Sequence, residues 1–323
     1  MNTRSGPDAP GIVYVPALYW RQAEMNALEG VENDADRIAP LITLKPPGVP
    51  DPPDPQSEVE SPFLDSRLAD TAMLAPSKYI DVVGGQIGAI AFGEGRLAIG
   101  RPLPFVYCDT ANVDNFFGEC QMARIISRID GPVVPVWRSR TPMSRLEEAL
   151  RLGGDGRGIA ARIVIGDLVT RTTLPARVRD AARHVDLILD LSDDVQIMTT
   201  TPSAPSWFER FISVSNDLPW RRVVLVAGGF PKTVHRTGSF PIKRTCKEMH
   251  LAFARANSGR YVVRGDYGCI YPELIEVYGG RHHPNLRYAS DDAWIVHRAD
   301  RVPVGQRSPY WKLSRDCVAH ASL

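Results

Sequence analysis

The feature that most constrains this chain is a series of eight short apolar runs, most of them separated by stretches of helical character. The runs span residues 12–18, 38–44, 105–110, 133–139, 159–165, 185–191, 223–228 and 261–268. Strands that alternate with helices pair in parallel, because each crossover helix packs back onto the sheet it left. Eight such units make a single (β/α)8 TIM-type barrel, an α/β fold that a chain of 323 residues can supply as one domain. The rival is a doubly wound sheet, which usually has about five or six strands and often a Gly-x-Gly-x-x-Gly turn after the first. No glycine lies between Leu18 and Gly30, and eight runs exceed what that fold needs. The barrel is expected over residues 11–323, after a disordered segment 1–10.

Helices are expected at 21–28, 77–93, 116–129, 143–152, 174–184, 207–214, 244–256 and 308–320. In the second of these, Ile80, Val83, Ile87, Ile90 and Ala91 recur at helical spacing, while Gly84, Gly85 and Gly88 weaken it. Close packing of this helix on the sheet would account for the glycines; a hairpin is the alternative. Residues 45–61 are dense in proline and acid, and read as an extended excursion after strand two. Residues 286–290 and 293–298 alternate around Asp291-Asp292, which predicts a small β-hairpin after strand eight.

Composition narrows the setting. A formal net charge of +1 carries no whole-chain signal for nucleic acid or an anionic membrane. No apolar stretch approaches the ~20 residues of a membrane helix, so no membrane partner is expected. The first residues, Met1 to Pro7, lack the apolar core of a signal peptide. Five scattered cysteines without a Cys-x-x-Cys pair fit a reducing cytoplasm, with neither a disulfide framework nor a zinc knuckle.

In a barrel, the carboxyl ends of all strands share one face, and chemistry sits there. Asp109, Asp190 and Asp266 close strands three, six and eight, and are expected to project over that mouth. Converging carboxylates hold a hard cation such as Mg²⁺ or Mn²⁺, or act as an acid/base pair. Arg162 and Arg264 lie inside apolar strands at inward parity, where an unpaired guanidinium would be expensive. Arg162 with Asp190, and Arg264 with Asp109 or Asp266, are the expected pairs. If these arginines only neutralise the aspartates, the cluster is a structural ion-pair network instead.

The loop Gly228-Gly229-Phe230-Pro231-Lys232 follows strand seven, where barrels often bind phosphate through backbone N–H groups. Lys232 and Arg244 would add positive charge, and Tyr267 could stack on a ligand at the mouth. His282-His283 and His235 are weaker candidates for a metal ligand or proton carrier. Cys108 takes the opposite side of its strand from Asp109, which argues against a cysteine nucleophile.

Several pegs, in order, carry a family resemblance. They are Tyr14-Val15-Pro16, Pro40-Leu41-Ile42, residues 156–163 (GRGIAARI), residues 185–191 (VDLILDL), Trp220-Arg221, Phe230-Pro231, Gly265-Asp266-Tyr267-Gly268, Asn285-Leu286-Arg287-Tyr288 and Trp294. The chain resembles the "beta protein" family of phages, prophages and bacterial mobile elements. That resemblance implies one barrel-like domain in a setting of phage–host conflict, and supplies no catalytic residues. It also implies a tail beyond the last helix with Trp-Arg and His-His elements; this sequence stops at Leu323 without one. An aromatic implied near the start of the seventh helix is replaced by Lys247-Glu248.

The resulting expectation is a metal-assisted hydrolase acting on a phosphorylated small molecule or nucleic acid. The alternative is a non-catalytic factor of antiviral defence or superinfection interference that binds a phage or host protein.

Overall fold

A computed structural model describes residues 11–19, 35–46, 76–92, 103–154, 156–164, 167, 174–192, 204–231, 234, 236–257, 260–268, 285–290 and 292–300. Eight strands close into a barrel: β1 (Tyr14–Tyr19), β2 (Leu41–Thr43), β3 (Val106–Asp109), β4 (Val133–Arg138), β5 (Ile159–Val164), β6 (Val185–Asp190), β7 (Arg222–Ala227) and β9 (Val262–Asp266). Every neighbouring pair is parallel, and β9 pairs with β1 to complete the ring. All eight expected runs are therefore barrel strands. The described helices between them are α1 (Pro76–Phe92), α2 (Ala111–Phe117), α3 (Met122–Ile126), α4 (Met143–Gly153), α5 (Ala176–Asp180), α6 (Ala204–Asp217) and α7 (Thr245–Ala256). No described helix is long and apolar enough to cross a membrane.

Alternation along each strand splits the core in two. Val15, Ala17, Leu41, Val134, Val136, Ala160, Ile188, Val224, Val226 and Val263 fill the barrel interior. Their neighbours Ile42, Val106, Val133, Ile159, Leu187, Leu189, Val223 and Leu225 face outward and pack with the helices. Strands buried on both faces must be apolar at nearly every position, which is why the runs read so plainly in the sequence. Burying each such side chain contributes about 1.5–3 kcal/mol.

The interior also holds charge at its amino-terminal end. The carboxylate of Asp186, at the start of β6, is fully buried. It accepts from Tyr107 Oη at 2.9 Å, Arg221 Nε at 2.7 Å and Nη2 at 2.6 Å, and Arg222 Nη1 at 3.1 Å. The Arg222 guanidinium lies 5.1 Å from the centre of the Phe105 ring. Several donors on one carboxylate offset its desolvation and seal the floor of the barrel.

Three local expectations change. Residues 116–129 form no single helix: α2 ends at Gly118, whose φ of +72° is the left-handed cap that glycine adopts readily, and α3 starts afresh. Helix α1 forms in place of the hairpin, but Gly84 and Gly88 do not press on the sheet. A Cβ at Gly84 would lie 2.5 Å from Arg128 Cβ, and one at Gly88 would lie 3.3 Å from Asp130 N, so the close approach is to the turn after α3. The expected hairpin, β10 (Asn285–Ala289) with β11 (Ala293–Arg298), gains a third strand, β8 (Gly238–Lys243), inserted between β7 and α7. Pro241 sits on β8 because that strand is an edge. The expected helices at 21–28 and 308–320, the proline-rich excursion beyond Pro46, and Lys232, His235 and His282-His283 lie outside the described residues.

Gly265 tests the tightness of closure. A Cβ there would meet the Val15 carbonyl oxygen at 2.6 Å and Val226 Cγ2 at 2.8 Å. Gly265→Ala is expected to lower unfolding free energy by about 1–3 kcal/mol, read from urea denaturation.

Candidate functional site

Arg162 organises the carboxyl-terminal mouth. It rises from the interior side of β5 and is 5% exposed, so its charge is nearly out of water. Nε donates to Asp190 Oδ2 at 2.8 Å, and Nη1 donates to Asp109 Oδ2 at 2.7 Å and Thr43 Oγ1 at 3.0 Å. Nη2 donates to Tyr267 Oη at 2.7 Å and lies 2.6 Å from Asp190 Oδ2. Residues from β2, β3, β5, β6 and the end of β9 thus meet on one guanidinium. A planar fork with five donors suits this role, where an ammonium would leave acceptors unmatched.

The carboxylates take further donors. Asp109 accepts from Arg138 Nε at 2.6 Å and from the Ala111 backbone N–H at 3.2 Å. Asp190 accepts from Tyr267 Oη at 2.7 Å and from the Ser192 N–H at 2.8 Å. Burial pushes the Asp109 carboxyl up, but Arg138 and Arg162 together outweigh it and hold the group below its ordinary value. Burial raises Tyr267 well above the usual phenol range, against the pull of Arg162. Tyr267 therefore keeps the proton it donates to Asp190 while accepting from Arg162.

Arg138, at the end of β4, is the more accessible cation here. Its side chain is 23% exposed. Nε is held by Asp109, Nη1 lies 3.3 Å from Asn112 Oδ1, and Nη2 has no partner among the described residues. Beside it, Ser139 and Arg140 both donate to the buried Asp167, tying the loop after β4 to the segment after β5.

The structure brings together Asp109, Asp190, Arg162 and Tyr267 from the expected set, with Arg162–Asp190 as the expected pair. It does not bring Asp266 and Arg264 to the mouth. Val263 and Tyr267 face the interior, so the residues of opposite parity face the outer wall. There Asp266 accepts from Tyr14 Oη at 2.6 Å, the Gly268 N–H at 2.8 Å, Arg264 Nη2 at 3.2 Å and Arg244 Nη2 at 3.3 Å. The inward parity expected of Arg264 is thus reversed, and it pairs with Asp266 rather than Asp109. Arg244 also donates to the Ser290 carbonyl at 2.8 Å and stacks 4.4 Å from the Trp294 ring centre.

The glycine loop is engaged as well. The Gly228 N–H donates to the Ser192 carbonyl at 2.6 Å. Gly229 packs where a Cβ would lie 3.2 Å from Cys246 Sγ. Phe230 is buried against Trp294 of the three-stranded sheet and lies under the Arg287 guanidinium. Tyr267, expected to stack on a ligand, is instead buried with its hydroxyl inside the Arg162 network.

The arrangement does not fit a divalent cation between the acids. Each Oδ2 of Asp109 and Asp190 already receives two donors, so Mg²⁺ or Mn²⁺ would have to displace Arg162. Among the described residues, no three His, Cys, Asp or Glu side chains gather in a metal-holding group. Sequence reasoning gave Arg138 no role. It missed Thr43, Asn112 and Asp167, although inward parity on β2 and β4 marks Thr43 and Arg138.

A family model described as Beta protein matches residues 14–322. The chain belongs to the Beta protein family. No curated protein and no solved structure matches it. The Beta protein match spans every barrel strand and the three-stranded sheet, so the mouth network lies wholly inside the matched region.

Arg162→Met would strand two buried carboxylates, and is expected to cost about 3–5 kcal/mol in urea unfolding. The depressed Asp109 carboxyl makes a separate prediction in acid. Its stabilisation is present in full above the unfolded-chain value near ~3.9 and is lost as pH falls through the lower native value. Asp109→Asn should flatten the wild-type loss of stability below about pH 4, measured by thermal unfolding across a pH series.

Proposed function

We propose that the barrel mouth binds a phosphorylated ligand and that hydrolysis of a phosphoester is the reaction class it serves. The observation that carries this reading is Arg138: a guanidinium pinned on one side by buried Asp109, with Nη2 unpartnered among the described residues. Held this way, it loses little rotamer freedom on meeting an anion, and it can share two N–H groups with phosphate oxygens. The Asp109–Arg162–Asp190–Tyr267 network acts beneath it as a rigid floor. In phosphoryl transfer, positioning and charge stabilisation do most of the catalytic work. Because Asp109 and Asp190 are occupied by arginine, the proposed chemistry rests on guanidiniums rather than on Mg²⁺ or Mn²⁺ between the acids. The resemblance drawn from the sequence implies a setting of phage–host conflict, and on that ground the phosphate source we propose is a nucleotide or nucleic acid, in defence or superinfection interference.

One observation favours the alternative of a protein-binding platform. Phe116 on α2 and Met143 on α4 are exposed, at 56% and 46%. The two helices are held side by side by Arg145, which bonds Asn115 at 2.9 Å and lies 3.7 Å from Asp114.

Arg138→Gln separates the readings. Binding of phosphorylated ligands, measured by calorimetry, is expected to weaken at least tenfold, with the melting temperature within a few degrees of wild type. Turnover of a phosphoester panel, with and without divalent metals, should fall in parallel. Equal binding and turnover in wild type and Arg138→Gln, or none in either, would overturn the proposal.

A further inference from the structure

The outward-facing Arg264 points to a second site, separate from the mouth. A parallel barrel strand covered by a helix normally presents Val, Ile or Leu on that face. Here β9 presents Arg264, and beside it lies a cavity of about 570 Å³ between α7, the start of β1 and the approach to β9. Its walls include His250, Asn257, Arg260, Tyr261 and Arg264. That volume is within the range of small-molecule sites, about 300–1,000 Å³, and larger than a bare ion requires.

The polar groups around it are incompletely used. Arg264 Nη2 lies 3.2 Å from Asp266, while its Nε and Nη1 have no partner among the described residues. Arg260 is anchored through Nη1 to the carbonyls of Ser215, at 2.6 Å, and Leu218, at 3.1 Å. Its Nε and Nη2 likewise have no partner among the described residues. His250 Nδ1 is buried without a hydrogen-bond partner among the described residues. Burial, and then the nearby Arg264, push the His250 imidazole down to about 4, against the upward pull of Asp266, so at neutral pH the ring is uncharged. Asn257, by contrast, is satisfied: it accepts from Ser215 Oγ at 2.6 Å and donates to the Phe253 carbonyl at 3.0 Å.

Charge completes the case. Arg260 and Arg264 line this cavity, and Asp266, 3.2 Å from Arg264, is shared with Arg244, which is not among the lining residues. Positive charge is in excess beside a cavity, with two forks whose open N–H groups suit oxyanion geometry. Tyr261, 66% exposed at the rim, offers a ring face to the organic part of a ligand.

We propose that this cavity binds an organic phosphate, its head group held by Arg260 and Arg264, with the His250 ring forming part of the wall beside it. The site stands on the opposite face of β9 from Tyr267 and does not depend on the mouth reading.

Calorimetric titration of the full chain with AMP, ribose 5-phosphate, inorganic phosphate and succinate tests it, using wild type, Arg264→Gln, His250→Gln and Arg138→Gln. Phosphate esters are expected to titrate two sites in wild type; Arg138→Gln should lose the mouth site and keep this one. Binding should be at least tenfold weaker in Arg264→Gln and measurably weaker in His250→Gln. In NMR spectra, the His250 ring protons should shift on addition of AMP, a readout that holds even if Arg264→Gln folds poorly. Unchanged affinity in Arg264→Gln, an unmoved His250 signal, loss of all binding in Arg138→Gln, or preference for succinate over every phosphate would each overturn the assignment.

Discussion

A closed ring of eight strands has an interior too narrow for water to screen charge, and the pairing of Arg162 with Asp109 and Asp190 follows from that constraint. An isolated guanidinium there would be prohibitive, and so would either carboxylate alone. Together they satisfy one another, with Thr43 and Tyr267 completing the set. The floor repeats the solution with Asp186, Tyr107, Arg221 and Arg222. Between the two polar layers lies an apolar one built from Val15, Leu41, Val136, Ile188 and Val224. The barrel is thus a hydrophobic plug closed at each end by an ionic lock. The desolvation such locks require offsets much of their attraction, whereas removing one partner leaves a buried charge uncompensated.

The locks also position the outer groups. Asp109 is fixed by Arg162 from below, and in turn fixes Arg138 at the surface. A charge held in this way meets a ligand already oriented, so binding energy is not lost to ordering a long side chain. The same logic applies on the outer wall, where the Ser215 and Leu218 carbonyls fix Arg260 while its other donors have no partner among the described residues. The mouth and the outer wall thus share one device: an arginine anchored at one edge, with donors at the other that have no partner among the described residues.

The hydrophobic rhythm announced the barrel, because strands buried on both faces cannot hide their composition. The pairing of Arg162 with Asp190 was also legible, since a buried arginine needs an acid and few were available. Other features were not. Asp266 and Tyr267 are adjacent, and a one-residue difference in where the interior face begins sends one to the mouth and the other to the outer wall. Pattern alone took Asp266 as the inward residue, whereas the register of β9 with β1 made it Tyr267. Strand β8 escaped notice because an edge strand buries little and tolerates Pro241. The break at Gly118 was masked by apolar residues that continue on either side of it.

What the sequence determined by itself was local and periodic: the number and order of the barrel strands, most of the helices, and some of the buried charges, Asp109, Arg162 and Asp190 among them. Those depend on spacing along the chain, which is one-dimensional information. What tertiary structure decided was which face each charge occupies and which partner it meets across the ring. Asp109 and Arg162 are 53 positions apart, and Tyr267 is 105 from Arg162. Closure of the barrel, and the stagger at which its first and last strands join, sets those meetings, and no local pattern encodes that stagger.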